Sequence, residues 1–545
     1  MTIINLLYAT LPLLFSLILI AKTGSVYKPM LYSAFLGLAQ YGLKIGLETI
    51  FSTSKPFSGF LLLTVANRSA VQATVAGFQL MKSTLMDKAP IVVAVFVLFI
   101  MVKLIIKSRA LVYINMAADR FVKSRIHFLT VFLGLSVLFS IDDYLCCVGI
   151  AAVVAGIAER QSVSRERTAY MISQLSVAFC TLLPYSSWMP VVRSAVGAAV
   201  PLQAVTLLNL AAFYGVFIVI ADVLSDSETQ KNNQKTSALP DDFGLIIGVL
   251  IATATITAVS LVFTNIFTDG TWSVAVAGTA GCVVLITIGY LFKLVTPPII
   301  KESIFEAFTD AVSLFKMLFF VWITKDICVE LLGMSSLLKT VMENGNVPVF
   351  LIPAVVFTVS SGFAYITGTS FGAFSLFIPL ALGLTENLGT GLRIAAAAAA
   401  LSGSLQSVNR PGSDVINLTS DILKCNEKKL LELQKRSMFS TIPILFTGFS
   451  MIGICASHST PTMHFMGILP IIIYSFFHYL LIKSKKPMDA KEFLRWTIVH
   501  ENNTTDNYYN KQIYTYHQKS IQLEVLYTPY LIGISQSAQN LSPAN

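Results

Sequence analysis

One apolar run, residues 127–158, dictates much of what this 545-residue chain can fold into. At about 1.5 Å per residue it is too long for a single membrane crossing. Lys107, Arg109, Arg120, Lys123 and Arg125 precede it, and Arg160, Arg165 and Arg167 follow it. Basic clusters of this kind stay on the cytoplasmic side, so the run must enter the membrane and return to the side it left. A re-entrant hairpin satisfies this, with Asp142-Asp143 at its tip.

The rest of the chain reads in the same terms. Hydrophobic residues make up 55% and charged residues 12%, where soluble domains carry roughly 25% charged residues. That excludes a soluble enzyme, a nucleic-acid binder or a disordered scaffold. Twelve stretches are candidate spans: 3–20, 29–50, 59–81, 90–106, 168–190, 203–222, 243–266, 271–292, 304–331, 394–422, 438–456 and 464–482, of which 59–81, with Asn67, Arg68 and Gln72, reads either as a span or as a surface helix. A second overlong run, 348–386, is interrupted by Thr367-Gly368-Thr369-Ser370. Threading these puts 18 basic loop residues inside and 7 outside before residue 438. It also orients the second hairpin oppositely to the first.

Sliding the chain on itself until Asp142 falls on Thr369 aligns the two hairpins. In that register Asp142-Asp143-Tyr144 matches Thr369-Ser370-Phe371, and Pro184-Tyr185-Ser186-Ser187 matches Pro411-Gly412-Ser413-Asp414. The separation of tip and proline is the same in both halves, with no gap between them. With opposite orientations, this predicts an all-α polytopic membrane protein of about 12 transmembrane helices in two inverted repeats, each holding a re-entrant hairpin and a broken helix. The predicted layout is 1–108, N-terminal helices; 109–222, first repeat core; 223–242, cytoplasmic linker; 243–437, second repeat; 438–482, C-terminal helices; and 483–545, a cytoplasmic polar tail. Both termini are predicted to be cytoplasmic.

The polar residues at the interruptions carry the chemistry. A charged side chain at a helix centre costs about 2.5–3.5 kcal/mol to insert, so Asp142 and Asp143 call for a proton or a bound cation, and two close carboxylates titrate as a coupled pair. Thr367, Gly368, Thr369 and Ser370 offer hydroxyls and carbonyls at a point where glycine permits close approach. Pro184 and Pro411 break the second helix of each half, placing Ser186, Ser187, Ser413 and Asp414 beside the breaks. A solvated loop, a flexible helix break and, for Asp414, a helix cap are the structural alternatives. Asp310, Lys316, Lys325, Asp326 and Glu330 in span 304–331 read as residues of the outer interface, with neutralisation of Asp326 by Lys325 as the alternative. The seven cysteines form no CxxC pair and read as buried apolar groups.

These residues resemble the NhaC family of Na+/H+ antiporters, within the ion transporter superfamily. Ser140-Ile141-Asp142-Asp143-Tyr144, Ser164-Arg165-Glu166-Arg167-Thr168-Ala169-Tyr170 and Pro184-Tyr185-Ser186-Ser187-Trp188 are similar to its FIDDY, SREKLAY and PISSW blocks in order and spacing. Thr367 to Gly372 resembles its TGTSWG, and Ser402-Gly403 through Asp414 its LSG…SPISD block. The chain departs from the family at Ser173-Gln174, where an Asp-Ser pair is usual, and at Gln406-Ser407-Val408, where Gly-Asp-His is usual. These departures bear on the coupling ion, stoichiometry and substrate more than on the fold.

The resemblance implies a secondary antiporter in which Na+ (or Li+ or K+) and H+ compete at Asp142, Asp143 and Asp414. Ser186, Ser187, Thr369, Ser370 and Ser413 would supply neutral oxygens. No cofactor beyond the coupling ions Na+ and H+ is expected. The expected partners are the lipid bilayer of a bacterial inner membrane, the ions and, as an open alternative, a second copy in a homodimer, with no nucleic acid. The alternative function is a Na+- or H+-coupled exchanger of an organic anion or amino acid. A passive channel fits an inverted repeat less well. An intramembrane hydrolase would need a base, and the six histidines avoid the hairpin tips and proline breaks.

Overall fold

The computed structural model describes residues 2–23, 25–52, 59–107, 122, 124–160, 163–183, 186–225, 273–291, 295–344, 348–411, 413–457 and 467–476. Pro184, the linker beyond Ser225, span 243–266 and the tail 483–545 lie outside them. The helices are α1 (Thr2–Thr23), α2 (Tyr27–Ser52), α3 (Gly59–Lys107), α4 (Arg125–Phe139), α5 (Asp143–Arg160), α6 (Arg165–Leu182), α7 (Met189–Val196), α8 (Leu202–Leu207) and α9 (Leu210–Ser225). There follow α10 (Ser273–Leu291), α11 (Pro297–Asp326), α12 (Met334–Asn344), α13 (Ile352–Thr367), α14 (Ser370–Leu384), α15 (Thr390–Ser404), α16 (Asp414–Leu423) and α17 (Glu427–Ser457). Gly467–Phe476 forms a further apolar helix, α18. Among the described residues there is no strand.

Helix boundaries recur in the register of the sequence repeat. The hairpin arms α4 and α13 start at Arg125 and Ile352, and the returning arms α5 and α14 start at Asp143 and Ser370. Both pairs keep the offset that sets Asp142 on Thr369, as do Val196 and Leu423, which end α7 and α16. Local chemistry sets these limits. Ser124 caps α4, accepting the His127 amide at 3.3 Å, and Thr369 caps α14, accepting the Gly372 amide at 3.2 Å. Gly368 ends α13 at φ +70°, where a side chain is disfavoured. With 15 residues each, α4 and α14 reach about 22 Å, short of a hydrocarbon core of about 30 Å.

The two halves interlock. The short helix α7, beyond the first break, packs on α14 of the second hairpin, and α16, beyond the second break, packs on α5 and α6. At the centre is α15, in which Ala395 to Ala400 are all fully buried. Small residues let helices approach closely where lipid offers no hydrophobic driving force. At Gly403 of α15 an added Cβ would come within 2.7 Å of the Phe357 carbonyl and of Ser360 Cβ on α13. Ser360 donates to the Ala400 carbonyl at 2.8 Å in the same contact.

Four expectations are corrected. The separate spans 59–81 and 90–106 are one continuous helix of 49 residues, α3, about 73 Å long. No turn forms near Lys82 to Lys88, because nothing there breaks the helix, and Pro90 is carried in its interior. Span 203–222 is divided into α8 and α9 around Leu208 and the buried Asn209. Span 304–331 passes from α-helix into π-helix at Ile327–Leu331, so Asp326 and Glu330 do not keep regular α-helical spacing. Asp310 pairs with Lys103 at 2.8 Å, next to Lys107 with Glu302 and Glu306. It therefore belongs to an ion-pair ladder at the basic end of α3, away from the outer interface expected for it.

Two measurements follow. If α3 crosses once, the α1–α2 turn lies inside, and Lys22 and Lys28 join the inner basic residues. A cysteine at Ser25 should then react with an impermeant maleimide only from the cytoplasmic face, and labelling from outside would restore two crossings. Gly403→Val should cost about 1–3 kcal/mol by overpacking, read as a lower unfolding temperature in detergent.

Candidate functional site

The first hairpin tip is tied to the first break. Asp142 stands immediately before α5, its Oδ2 accepting the Tyr144 amide at 3.0 Å and its Oδ1 accepting the Ser187 hydroxyl at 2.7 Å. The capping role weighed for Asp414 is thus filled here by Asp142, together with a side-chain bond across the break. Asp143 accepts from Trp188 Nε1 at 3.4 Å, and the Ser187 amide donates to the Ile141 carbonyl at 2.6 Å. The two aspartates are 2% and 5% exposed, and both carboxylates have neutral hydrogen-bond donors, with the Lys103 charge near enough to act on Asp142. An unpaired buried charge is costly, so this geometry suits groups that bind a proton or a cation.

Trp188 links this tip to the other half. Its ring lies 5.2 Å from Phe371 and 5.8 Å from Phe374, centroid to centroid, on α14. A shift of the second hairpin therefore bears on the residue that holds Asp143.

Among the described residues, the second tip is built from neutral groups and one cation. Ser370 and Ser407 hydroxyls meet at 2.5 Å, and Arg410 Nη1 donates to the Thr367 carbonyl at 2.9 Å. Thr367 turns its hydroxyl back to the Phe363 carbonyl at 2.8 Å, and Thr369 caps α14. Ser413 donates to the Val408 carbonyl at 3.2 Å, as Ser186, its counterpart in the first half, donates to the Cys180 carbonyl. Of the expected oxygen ligands, Ser187 and Ser370 reach across between tip and break, while Thr367, Ser186 and Ser413 donate to backbone nearby. Pro411 lies in the turn before α16. The Asp414 side chain lies outside what is described, and with it the proposed grouping with Asp142 and Asp143. Among the described residues no three His, Cys, Asp or Glu side chains converge as metal ligands.

The two departures from the family pattern prove to be neighbours in space. Gln174 Nε2 donates to Asn409 Oδ1 at 3.1 Å, and Asn409 Nδ2 donates to Gln406 Oε1 at 2.9 Å, all three buried. Ser173 lies 3.5 Å from the Thr419 hydroxyl. Asn209, between α8 and α9, donates to Thr181 and accepts from Ser402, both at 2.8 Å, bridging the halves a second time. The sequence pattern marked Trp188 only as the end of the Pro184–Trp188 block, and it gave no role to Arg410, Asn409 or Asn209. Arg410 carried a signal, since an arginine in the middle of span 394–422 marks function by cost alone. The amides carried none, because neutral polar residues in a span pair only through tertiary structure.

The class of the molecule follows from these elements: an all-α polytopic membrane protein with two helix-break sites facing two hairpin tips. No family model matches the chain, so the resemblance to NhaC antiporters rests on the motifs alone. It is 24% identical over 331 residues to an uncharacterized protein of Haemophilus influenzae, the match covering 52% of this chain and 63% of that protein's length. The solved YdaH transporter of Alcanivorax borkumensis, reported to have an unusual topology, is similar with a TM-score of 0.46 and 12% identity, over 72% of this chain and 90% of that one.

The bond between Gln174 and Asn409 is testable by a double-mutant cycle. Gln174→Ala and Asn409→Ala should couple by about 0.5–3 kcal/mol in detergent unfolding. Strict additivity would separate the two residues.

Proposed function

We propose that the chain is a secondary active transporter that exchanges a monovalent cation, Na+ first, for H+ by alternating access. The observation that carries this is the buried pair Asp142-Asp143 at a hairpin tip, held by a hydroxyl, an indole and a backbone amide. Such a pair accepts either a proton or a cation, and cannot remain charged and empty in a low-dielectric site. Competition between the two for one site is what couples their opposite movements. Ser187 would add a neutral oxygen beside Asp142. The interlocked halves supply the moving parts, because inverted repeats rock about a shared midplane site. The layout of domains read from the sequence belongs to this proposal too.

A second reading has its own support. The Gln174–Asn409–Gln406 chain sets amides next in sequence to Ser173 and to Ser407-Val408, where the family carries charge, and amides recognise a neutral or zwitterionic organic solute better than a bare ion. That would make the chain a Na+- or H+-coupled exchanger of an organic anion or amino acid.

Vesicles holding an imposed pH gradient and a pH-sensitive dye separate the two. Na+, Li+ and K+ should each be added in turn, then carboxylates and amino acids, beside Asp142→Asn/Asp143→Asn. Collapse of the gradient by a cation, with at least a tenfold slower response in the double variant, is the expected result. Silence to cations with a response to an organic solute would transfer the assignment to the second reading.

A further inference from the structure

We propose that Arg410 is a tethered cation that stands permanently where the second half would otherwise take an exchangeable one, so that cation exchange runs on the Asp142-Asp143 half alone. The proposal rests on the exchanger reading above and fixes how many cation sites that exchanger has.

The position is one at which positive charge is favoured. Thr367 is the last residue of α13, and the final carbonyls of a helix lack intrahelical donors and carry the negative end of its dipole. Arg410 Nη1 donates to the Thr367 carbonyl at 2.9 Å. The guanidinium also lies against Gly368, where a Cβ would collide with Nη1 and come within 2.9 Å of Cδ. The arginine therefore seats directly on the tip, with no room for a side chain between. Ser370 and Ser407, which would be the neutral oxygens of an ion site, instead bond to each other.

The first half differs at each matching place. In the repeat register Leu183 stands where the second half has Arg410, and Ser140 where it has Thr367. The Ser140 carbonyl receives the Cys180 thiol, at 3.5 Å, in place of a guanidinium. Where the second tip has Thr369-Ser370, the first has Asp142-Asp143, with neutral partners. Among the described residues, one tip thus holds two carboxylates whose hydrogen-bond partners are neutral, with the Lys103 charge acting on Asp142, while the other holds a fixed positive charge. An arginine does not deprotonate in a protein, so this charge cannot exchange. An arginine in an apolar span is costly, and the tip carbonyl gives it one hydrogen-bond partner.

The test uses the full chain in proteoliposomes, with Na+ titrated against choline at constant ionic strength. For wild type the rate should rise with a Hill coefficient of about 1, since that coefficient is bounded by the number of sites. Arg410→Gln keeps an amide donor for the Thr367 carbonyl but loses the charge, and should raise the coefficient above about 1.5 as a second site opens. Arg410→Lys should behave as wild type. Equal steepness in wild type and Arg410→Gln overturns the proposal. If Arg410→Gln does not purify as a folded protein, Asp142→Asn/Asp143→Asn with Arg410 intact decides. Its unfolding temperature should be indifferent to Na+ over choline, and a saturable Na+ shift would overturn the proposal. Transport driven by an organic carboxylate and lost in Arg410→Gln also overturns it, by assigning Arg410 to the substrate. A wild type unresponsive to every cation refutes the exchanger reading itself, and is seen before any Arg410 variant is made.

Discussion

A backbone in lipid must satisfy its own hydrogen bonds, and every helix break in this chain is a place where it cannot do so alone. The rest of the architecture follows from how those breaks are closed. The gap at Ser140–Asp142 is closed by Ser187 and the Ile141 carbonyl, and the gap at Gly368–Thr369 by Arg410. Each hairpin tip thus faces the broken helix of its own half. The continuation of each broken helix, α7 or α16, packs on the opposite half. Closing the breaks therefore locks the repeats together, and it puts the polar groups of the sites in the same places.

Equal backbone frames have been filled with unequal chemistry. Ser186 and Ser413 close their breaks in nearly the same way, so the frame is shared between the halves. The groups facing into it are not, with two carboxylates and an indole at one tip, and hydroxyls and a guanidinium at the other. Arg167 adds a peripheral clamp, its fork bonding both Asp222 oxygens at 2.6 Å and joining α6 to α9, in a geometry a lysine cannot copy.

Much of this was legible in the chain before any coordinates. The overlong apolar runs and their flanking charges require hairpins, because length and charge placement in a bilayer are close to counting problems. The repeat register reappears in helix starts at Asp143 and Ser370, because local capping and breaking residues set helix ends. The same local reasoning failed at α3, where Lys82, Asp87, Lys88 and Pro90 look like a turn. The helix runs through them, with Lys88 bonded to Ser194 at 2.7 Å and lying over the Trp322 ring. Partners distant in sequence hold the Lys88 charge inside the helix, and Lys82 and Asp87 lie on its exposed side.

The membrane class, the two hairpins and the carboxylate pair are written in the order of residues alone, since hydropathy, length and the cost of buried charge act locally. Which polar groups meet was settled by the packing of the helices. Gln174 and Asn409, separated by 235 positions, and Arg410 with Thr367, separated by 43, become partners because interlocked helices bring them together. No local pattern encodes that meeting, because a neutral amide or a lone arginine states only its need for a partner, and the packing of the two halves supplies it.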